Sequence, residues 1–578
     1  MRKIISVKQT LCLSLIQYFL LFVFSNIFFG CKKQNTSLNK PNSFYTNEYM
    51  AVSARKEASE TGAAIMEKGG NAFDAAIAMH FVLAVTYPQA GNIGGGGFMV
   101  AQPTGEDPIA LDFREQAPGK SHETIYLDDA GNVIPGMSVI GHRSSGIPGS
   151  VWGMYEIHQR YGTMDWSDLI QPAIHYAQYG FVLTEKDIAE LQDVTKELDS
   201  INGPNVFTFR KWKPGDTLKQ PDLAKTLQRI ALYGPKDFYE GETARLIIKE
   251  MQQHGNWIDS TDLKKYKAKW RTPLKGFFYG FEIITMPPPS SGGIALLQML
   301  YMLEQWNIHT LPFHSLRHLL TVAESEKLAY ADRSKYLGDP DFIHIPTDSL
   351  LSKNYLKKRI NLVGMPAVAT PASNIEPGII TGYESEETTH FSVVDNKGNA
   401  VSITTTINSA YGSRVIVKEG GFILNNEMDD FAIKPGVKNQ FGLIGGKVNA
   451  IQPGKRMLSS MTPTLVKEKG QIKLIVGSPG GATIITTVLQ QLLNVLIYNQ
   501  GMQESCDQPR FHHQWLPDLL YLEESWKEKQ ELIDSLEKAG YILQFRPPIG
   551  RVSAILRTSD NRWEAGADRR GDNAAAGK

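Results

Sequence analysis

The segment Glu386–Asn408 reads EETTHFSVVDNKGNAVSITTTIN. Two runs rich in Thr, Val, Ile and Phe flank the polar tetrapeptide NKGN, the pattern of two antiparallel strands joined by a hairpin turn. Threonine suits a strand, so Thr388 and Thr389 need no further reason to stand there. A threonine hydroxyl directly after two glutamates is also a candidate nucleophile, weak by itself and in need of a base. His390 lies two residues on and shares a strand face with Thr388. No G-x-S-x-G elbow occurs in the chain to support a serine triad. The other base open to a threonine is its own α-amino group, which exists only once the Glu387–Thr388 bond is cut.

Downstream of the hairpin, GGFILNN, TPTLVKEKG and IKLIVGS continue the strand pattern, and Gly480-Gly481 opens the helical run ATIITTVLQQLLNVLIYN. Upstream, SETGAAIMEKGGNAFDAAIAMHFVLAV holds two helices, stopped by Gly69-Gly70 and restarted at Asn71, a good N-cap. LIQPAIHYAQYG and ESEKLAYADRSKYLG are further helices that end near a glycine. The expectation is a layered α/β (α+β) protein with a mainly antiparallel sheet core and no internal repeat. GNIGGGGFMV, Gly91–Val100, lacks the lysine of a phosphate-binding loop, and a tight turn or close backbone approach explains it better.

The chain has 578 residues, of which 42% are apolar and 21% charged, an ordinary soluble composition. Lys+Arg and Asp+Glu each number 60, so net charge is zero and no polyanion or nucleic-acid partner is indicated. The three cysteines, Cys12, Cys31 and Cys506, have no metal-ligand spacing, and the pair His512-His513 has no third ligand nearby in sequence. No metal and no cofactor are expected.

The N-terminus carries Arg2, Lys3 and Lys8, then an apolar run from Leu11 to Phe29, then GCKKQN. This is an export signal. Gly30-Cys31 resembles the end of a bacterial lipoprotein signal, whose cysteine is acylated, although Phe28 and Phe29 stand where smaller residues are usual. An uncleaved membrane helix and a cleaved soluble form are the alternatives. The first two tie the protein to a membrane, as an exported periplasmic or cell-surface protein. With Cys12 removed and Cys31 lipidated, Cys506 is left without a disulfide partner. Residues 32–47 read as a polar tether, with folded sequence from about Met50.

Several segments carry candidate chemistry. GSPGGATII presents consecutive glycines at a helix start, where backbone N–H groups and the helix dipole suit an oxyanion hole, although a plain tight turn is also consistent. LDFREQAP sets Arg114 among apolar residues, either buried and paired or holding a substrate carboxylate. NNEMDDF offers Glu427, Asp429 and Asp430, and KRMLSSMTPT offers Ser459 and Ser460.

Taken together, GGNAFDAAIA, GNIGGGGFM, LDFREQAP, GIPGSVWG, PPPSSGGIALLQML, the hairpin above, NNEMDDF, LSSMTPT and GSPGGATIITTVLQ resemble, in this order, the γ-glutamyltransferase (glutathione hydrolase) family, from about Met50 to the C-terminus. The resemblance implies an Ntn-hydrolase fold, a four-layer αββα sandwich made from a self-cleaved precursor. Residues 48–387 would form the large subunit and 388–578 the small catalytic one, held as a heterodimer. It implies that Thr388 attacks the Glu387 carbonyl to free its own amine, and then forms a γ-glutamyl ester with glutathione or another γ-glutamyl compound. Water, or an amino-acid or peptide acceptor, resolves the ester. Thr406 would assist Thr388, and the Gly480 and Gly481 N–H groups would form the oxyanion hole. Arg114, Ser459 and Ser460 would hold the glutamyl α-carboxylate, and Asn408, Glu427 and Asp430 its α-amino group. PGVKNQFGLIGG matches a lid loop in which tyrosine is usual, and Phe441 stands in that place. Related cephalosporin acylases and a capsule depolymerase share the threonine but take other acyl groups, and a lipid-anchored binding protein on the same scaffold is the non-catalytic alternative.

Overall fold

The computed structural model describes residues 43–375, 388–434 and 447–578. The signal sequence with Cys31, and also Glu387 and Phe441, lie outside these residues. Fourteen strands form two seven-stranded sheets, antiparallel at each pairing. In chain order they are β1 (Tyr45–Thr46), β2 (Met50–Ser53), β3 (Gly96–Gln102), β4 (Ile109–Asp112), β5 (Lys269–Arg271), β6 (Leu274–Phe278), β7 (Phe281–Thr285), β8 (Thr388–Val394), β9 (Ala400–Thr406), β10 (Thr464–Glu468), β11 (Gln471–Val476), β12 (Ser553–Arg557), β13 (Trp563–Ala567) and β14 (Ala574–Gly577). One sheet runs β14-β2-β8-β9-β3-β4-β5, the other β1-β13-β12-β11-β10-β7-β6. Each therefore takes strands from both sides of residues 376–387.

The fold begins earlier than the sequence suggests. Tyr45 and Thr46, expected in the tether, pair with Glu564 and Trp563, because Thr46 is buried and the following amides of Asn47 and Glu48 donate to the Lys578 carbonyl.

The layers follow from strand alternation. In β8, Phe391 and Val393 face a core shared with helices α1 (Lys56–Glu67) and α2 (Ala72–Thr86), while Val394 faces the space between the sheets with Val52, Phe98, Ile284, Leu465 and Ile475. On the far side, Val466, Leu474 and Val476 pack on α3 (Gly292–Gln305), α4 (Leu316–Tyr336) and α5 (Thr483–Leu496). The order is helix, sheet, sheet, helix, the expected αββα sandwich.

Local chemistry explains the joints. Asn71 caps α2 by accepting from Phe73 N (2.8 Å) and Asp74 N (2.9 Å), and Asp74 returns a bond to the Asn71 N–H, a capping box that contributes about 1 kcal/mol. The hairpin turn is closed by Asp395, whose Oδ1 accepts from Lys397 N and Asn399 N, both at 2.9 Å, with Gly398 at φ +90°. The glycine run before β3 is a close-approach device. A Cβ at Gly94 would lie 2.1 Å from the Ile423 carbonyl oxygen, one at Gly95 2.1 Å from that of Thr406, and one at Gly97 2.4 Å from that of Thr404.

Candidate active site

Thr388 is the first residue of β8 and stands opposite Thr406, the last residue of β9. Both side chains are on the face turned toward the second sheet, and both are buried. The same face carries His390, Ser392, Ser402 and Thr404, so this part of the inter-sheet space is polar where the rest is aliphatic. His390 does not serve Thr388: its ring nitrogens bond Thr404 Oγ1 (2.9 Å) and Ser392 Oγ (3.2 Å), and complete burial pushes its pKa down to about 3. The ring also lies against Gly477, which ties β8 to the loop after β11.

That loop carries Gly480 (φ +131°) and Gly481 (φ +55°), conformations that glycine adopts without strain. Their carbonyls accept from Thr483 N (3.0 Å) and Ile484 N (3.1 Å), the first amides of α5. The two glycine amides thus precede a helix N-terminus, where the dipole favours negative charge. The Tyr330 hydroxyl of α4 donates to the Ala482 carbonyl and steadies the loop from behind.

A chain of short bonds leads from Thr406 to a charged cluster. The Asn408 N–H donates to Thr406 Oγ1 (2.7 Å), Asn408 itself sits at φ +73°, and its Nδ2 donates to the Asn426 carbonyl (3.1 Å). Next come Glu427 and Asp430 in a short 3-10 turn. Arg114, 1% exposed, reaches Glu427 Oε2 at 2.7 Å and Asp430 Oδ2 at 2.5 Å, and its Nη2 also donates to the Leu458 carbonyl (3.2 Å). One guanidinium thus fans across two carboxylates, a geometry lysine cannot reproduce. Burial pushes the Glu427 carboxyl up to about 8, against the pull of Arg114. Of the acids in this turn, Asp429 points elsewhere, accepting from Ser138 Oγ at 2.5 Å.

Ser459 and Ser460 follow Leu458 directly and are buried. Ser459 Oγ accepts from Met461 N (3.1 Å), and Ser460 Oγ accepts from Arg333 Nη2 (3.1 Å), whose Nε donates to Ser291 Oγ (2.8 Å). The expected site residues Thr388, Thr406, Arg114, Asn408, Glu427, Asp430, Ser459 and Ser460 are therefore linked through neighbouring contacts, and Gly480 and Gly481 stand three and four residues beyond Gly477, against which His390 packs. Two members were not singled out from sequence. Arg333 sits in an unremarkable helical run. Glu115, beside Arg114, is wholly buried, has no hydrogen-bond partner among the described residues on either carboxyl oxygen, and is pushed up to about 8 by burial. In LDFREQAP its one distinguishing feature is its place beside Arg114, which does not reveal its burial. His512 and His513 have packing and bonding roles: His512 bonds Thr486 Oγ1 (2.9 Å) and Gln514 Oε1 (3.0 Å), and His513 accepts from Trp515 N (3.1 Å). Cys506 is a buried free thiol.

The family described as gamma-glutamyltranspeptidase matches residues 58–578. The chain is 43% identical to the glutathione hydrolase proenzyme of Escherichia coli (strain K12) over 533 residues, covering 91% of each. It is 44% identical to the glutathione hydrolase proenzyme of Pseudomonas aeruginosa over 528 residues, covering 90% of this chain and 93% of that one. Among solved structures, the cephalosporin acylase from Bacillus halodurans shares the fold at a TM-score of 0.81 and 22% identity, over 95% of this chain and 99% of that one.

Proposed function

The chain belongs to the gamma-glutamyltranspeptidase family, and on that premise we propose how its residues act. It is a self-processing γ-glutamyltransferase and glutathione hydrolase, taking the γ-glutamyl group of glutathione and related compounds to water or to an amine. The observation that carries the residue assignment is the Arg114 cluster beside the Thr388–Thr406 pair. A cation and two carboxylates, paired with each other, are the complement of a zwitterionic amino-acid head.

In the processing step Thr388 Oγ1 adds to the Glu387 carbonyl carbon, the Glu387–Thr388 C–N bond breaks, and water hydrolyses the resulting ester. The products are a Glu387 carboxylate and a free Thr388 amine. In turnover that amine takes the Oγ1 proton as Oγ1 attacks the γ-carbonyl of the substrate. The Gly480 and Gly481 N–H groups stabilise the tetrahedral oxyanion, and the proton passes to the leaving amine. Thr406, oriented by the Asn408 N–H, aligns Thr388 from across the ladder. The substrate α-carboxylate takes Arg114 with Ser459 and Ser460, and its ammonium takes Glu427, Asp430 and the Asn408 side chain. Each partner exchanges one charged neighbour for another, so neither sign is left unpaired in a buried site. Water or an acceptor amine then cleaves the ester. The cut leaves a larger piece that ends at residue 387 and carries β1 together with residues 48–387, and a smaller piece, residues 388–578.

We also assign the protein to the cell exterior, held by lipid on Cys31. Among the described residues no helix is long and apolar enough to cross a membrane.

A denaturing gel of the purified protein with N-terminal sequencing tests the assignment. A smaller band beginning Thr-Thr-His-Phe, absent from Thr388→Ala, is expected. A chain that stays intact on long incubation while turning over γ-glutamyl amides would overturn it.

A further inference from the structure

We propose that His142, Glu250 and His254 form a binding site for a divalent d-block cation of the zinc class, separate from the Arg114 cluster. Among the described residues, these three bring one imidazole nitrogen, one carboxylate oxygen and a second imidazole nitrogen within 4.8 Å of one another. Glu250 and His254 are four residues apart at the C-terminal end of the helix Glu242–Gln253, which puts them on one face. His142 comes from a 3-10 turn 108 positions earlier and meets Glu250 Oε1 at 2.9 Å through Nε2. His254 Nδ1 lies 3.4 Å from the same oxygen, and the two imidazole rings stack at 3.7 Å.

Two histidines and a carboxylate with borderline-soft nitrogen donors are the ligand set that zinc and its neighbours prefer. A tetrahedral site with bonds of about 2.0–2.1 Å needs ligand atoms roughly 3.3 Å apart. The His142–Glu250 pair is already inside that distance, and the 42% exposed His254 side chain completes the set by leaving its Nδ1 bond to the Glu250 carbonyl (3.0 Å) and its stack on His142. A supporting contact holds Glu250 in place. The Lys418 backbone N–H donates to Glu250, and the only ionic partners of Glu250 among the described residues are the two histidines. Glu250 and His254 also line a cleft of about 490 Å³ with Gln253, Lys418 and Glu419, which leaves the fourth coordination position to water.

The test uses the mature protein carrying no polyhistidine tag, stripped with chelator and desalted. Zinc chloride is titrated by calorimetry and Co²⁺ by visible absorption, with Tm measured at each saturation. One Zn²⁺ per molecule, a raised Tm, and the intense d–d bands of a low-coordinate Co²⁺ centre are expected. His254→Ala and Glu250→Gln should each weaken Zn²⁺ binding by more than about tenfold and remove the rise in Tm. His254 is partly exposed and forms no part of a core, so its alanine variant decides the matter even if Glu250→Gln folds poorly. Absence of saturable Zn²⁺ uptake, or uptake of equal affinity in wild type and His254→Ala, overturns the proposal.

Discussion

Gly480→Ala is the sharpest probe of the oxyanion assignment. At φ +131° the residue occupies backbone space that is essentially closed to side chains, at a cost of about 1–3 kcal/mol. An added Cβ would also sit 2.5 Å from Thr483 Oγ1. Thr483 cannot simply turn away, because its hydroxyl donates to the Gly480 carbonyl at 2.6 Å and anchors the start of α5. The loop must rotate a peptide plane, and either plane available carries one of the two proposed oxyanion donors. Losing one such donor costs about 2.7–4 kcal/mol in the transition state, so kcat should fall about 10²- to 10³-fold. KM should change little, because the Arg114 cluster is untouched. Steady-state rates on a chromogenic γ-glutamyl anilide, normalised to the cleaved fraction on a gel, give the number. The double variant Gly480→Ala/Thr483→Ala removes the clash but keeps the φ penalty, and it should recover no more than a few-fold. A cleaved, folded Gly480→Ala enzyme with kcat within about threefold of wild type would refute the assignment.

Arg114→Lys replaces a fork with a point charge and loses at least one charge-assisted bond of about 1.5–3 kcal/mol, so kcat/KM should fall about 10- to 150-fold; an unchanged value would remove Arg114 from head-group binding. Glu115 is held at about 8 in the native state against 4.5 for the free group, so the folded chain keeps a proton that the unfolded chain releases between those values. Wild type therefore loses stability from this group as pH rises from about 4.5 to 8. The Tm advantage of Glu115→Gln should widen across that window and level off above it, and a pH-independent gap would show that the carboxyl titrates normally. Gly95→Ala sets a methyl 2.1 Å from the Thr406 carbonyl oxygen, and self-cleavage measured by gel should slow severalfold; normal kinetics would mean that β3 and β9 separate there at no cost.

The parts of this molecule written in local pattern were readable in the sequence. The β8–β9 hairpin follows from two alternating runs and a turn whose Asp395 and Gly398 do what such residues do. Asn71 announced the start of α2 because its cap is completed three residues later by Asp74. The glycines at 91–97 were legible only in part. Their backbone approach was anticipated, but the strands they admit, β9 and the segment around Ile423, are more than 300 residues away. Glu115 was hidden because burial is a tertiary property, and an isolated acid in a motif gives no sign of it. The His142, Glu250 and His254 group was illegible for a related reason: two of its members share a helix face, but nothing local indicates that His142 folds back to complete them. The early start at Tyr45 escaped notice because its partner strand, β13, lies near the other end of the chain.

The interleaving of strands on either side of residues 376–387 bears on what the two products of self-cleavage are to each other. With the cut proposed before Thr388, β8 and β9 come from the later piece, yet they are flanked by β2 and β3 from the earlier one, and β1 and β7 bracket a run of later strands in the opposite sheet. Pulling the pieces apart would strip ladder hydrogen bonds from both sheets and bare the core between them, which amounts to global unfolding. Such a pair has no folded monomers in equilibrium with it, and a dissociation constant is not a meaningful quantity for it. Specific activity should hold constant on dilution to any concentration the assay can follow. Mixing two differently labelled preparations should exchange no subunits until denaturant reaches the unfolding transition.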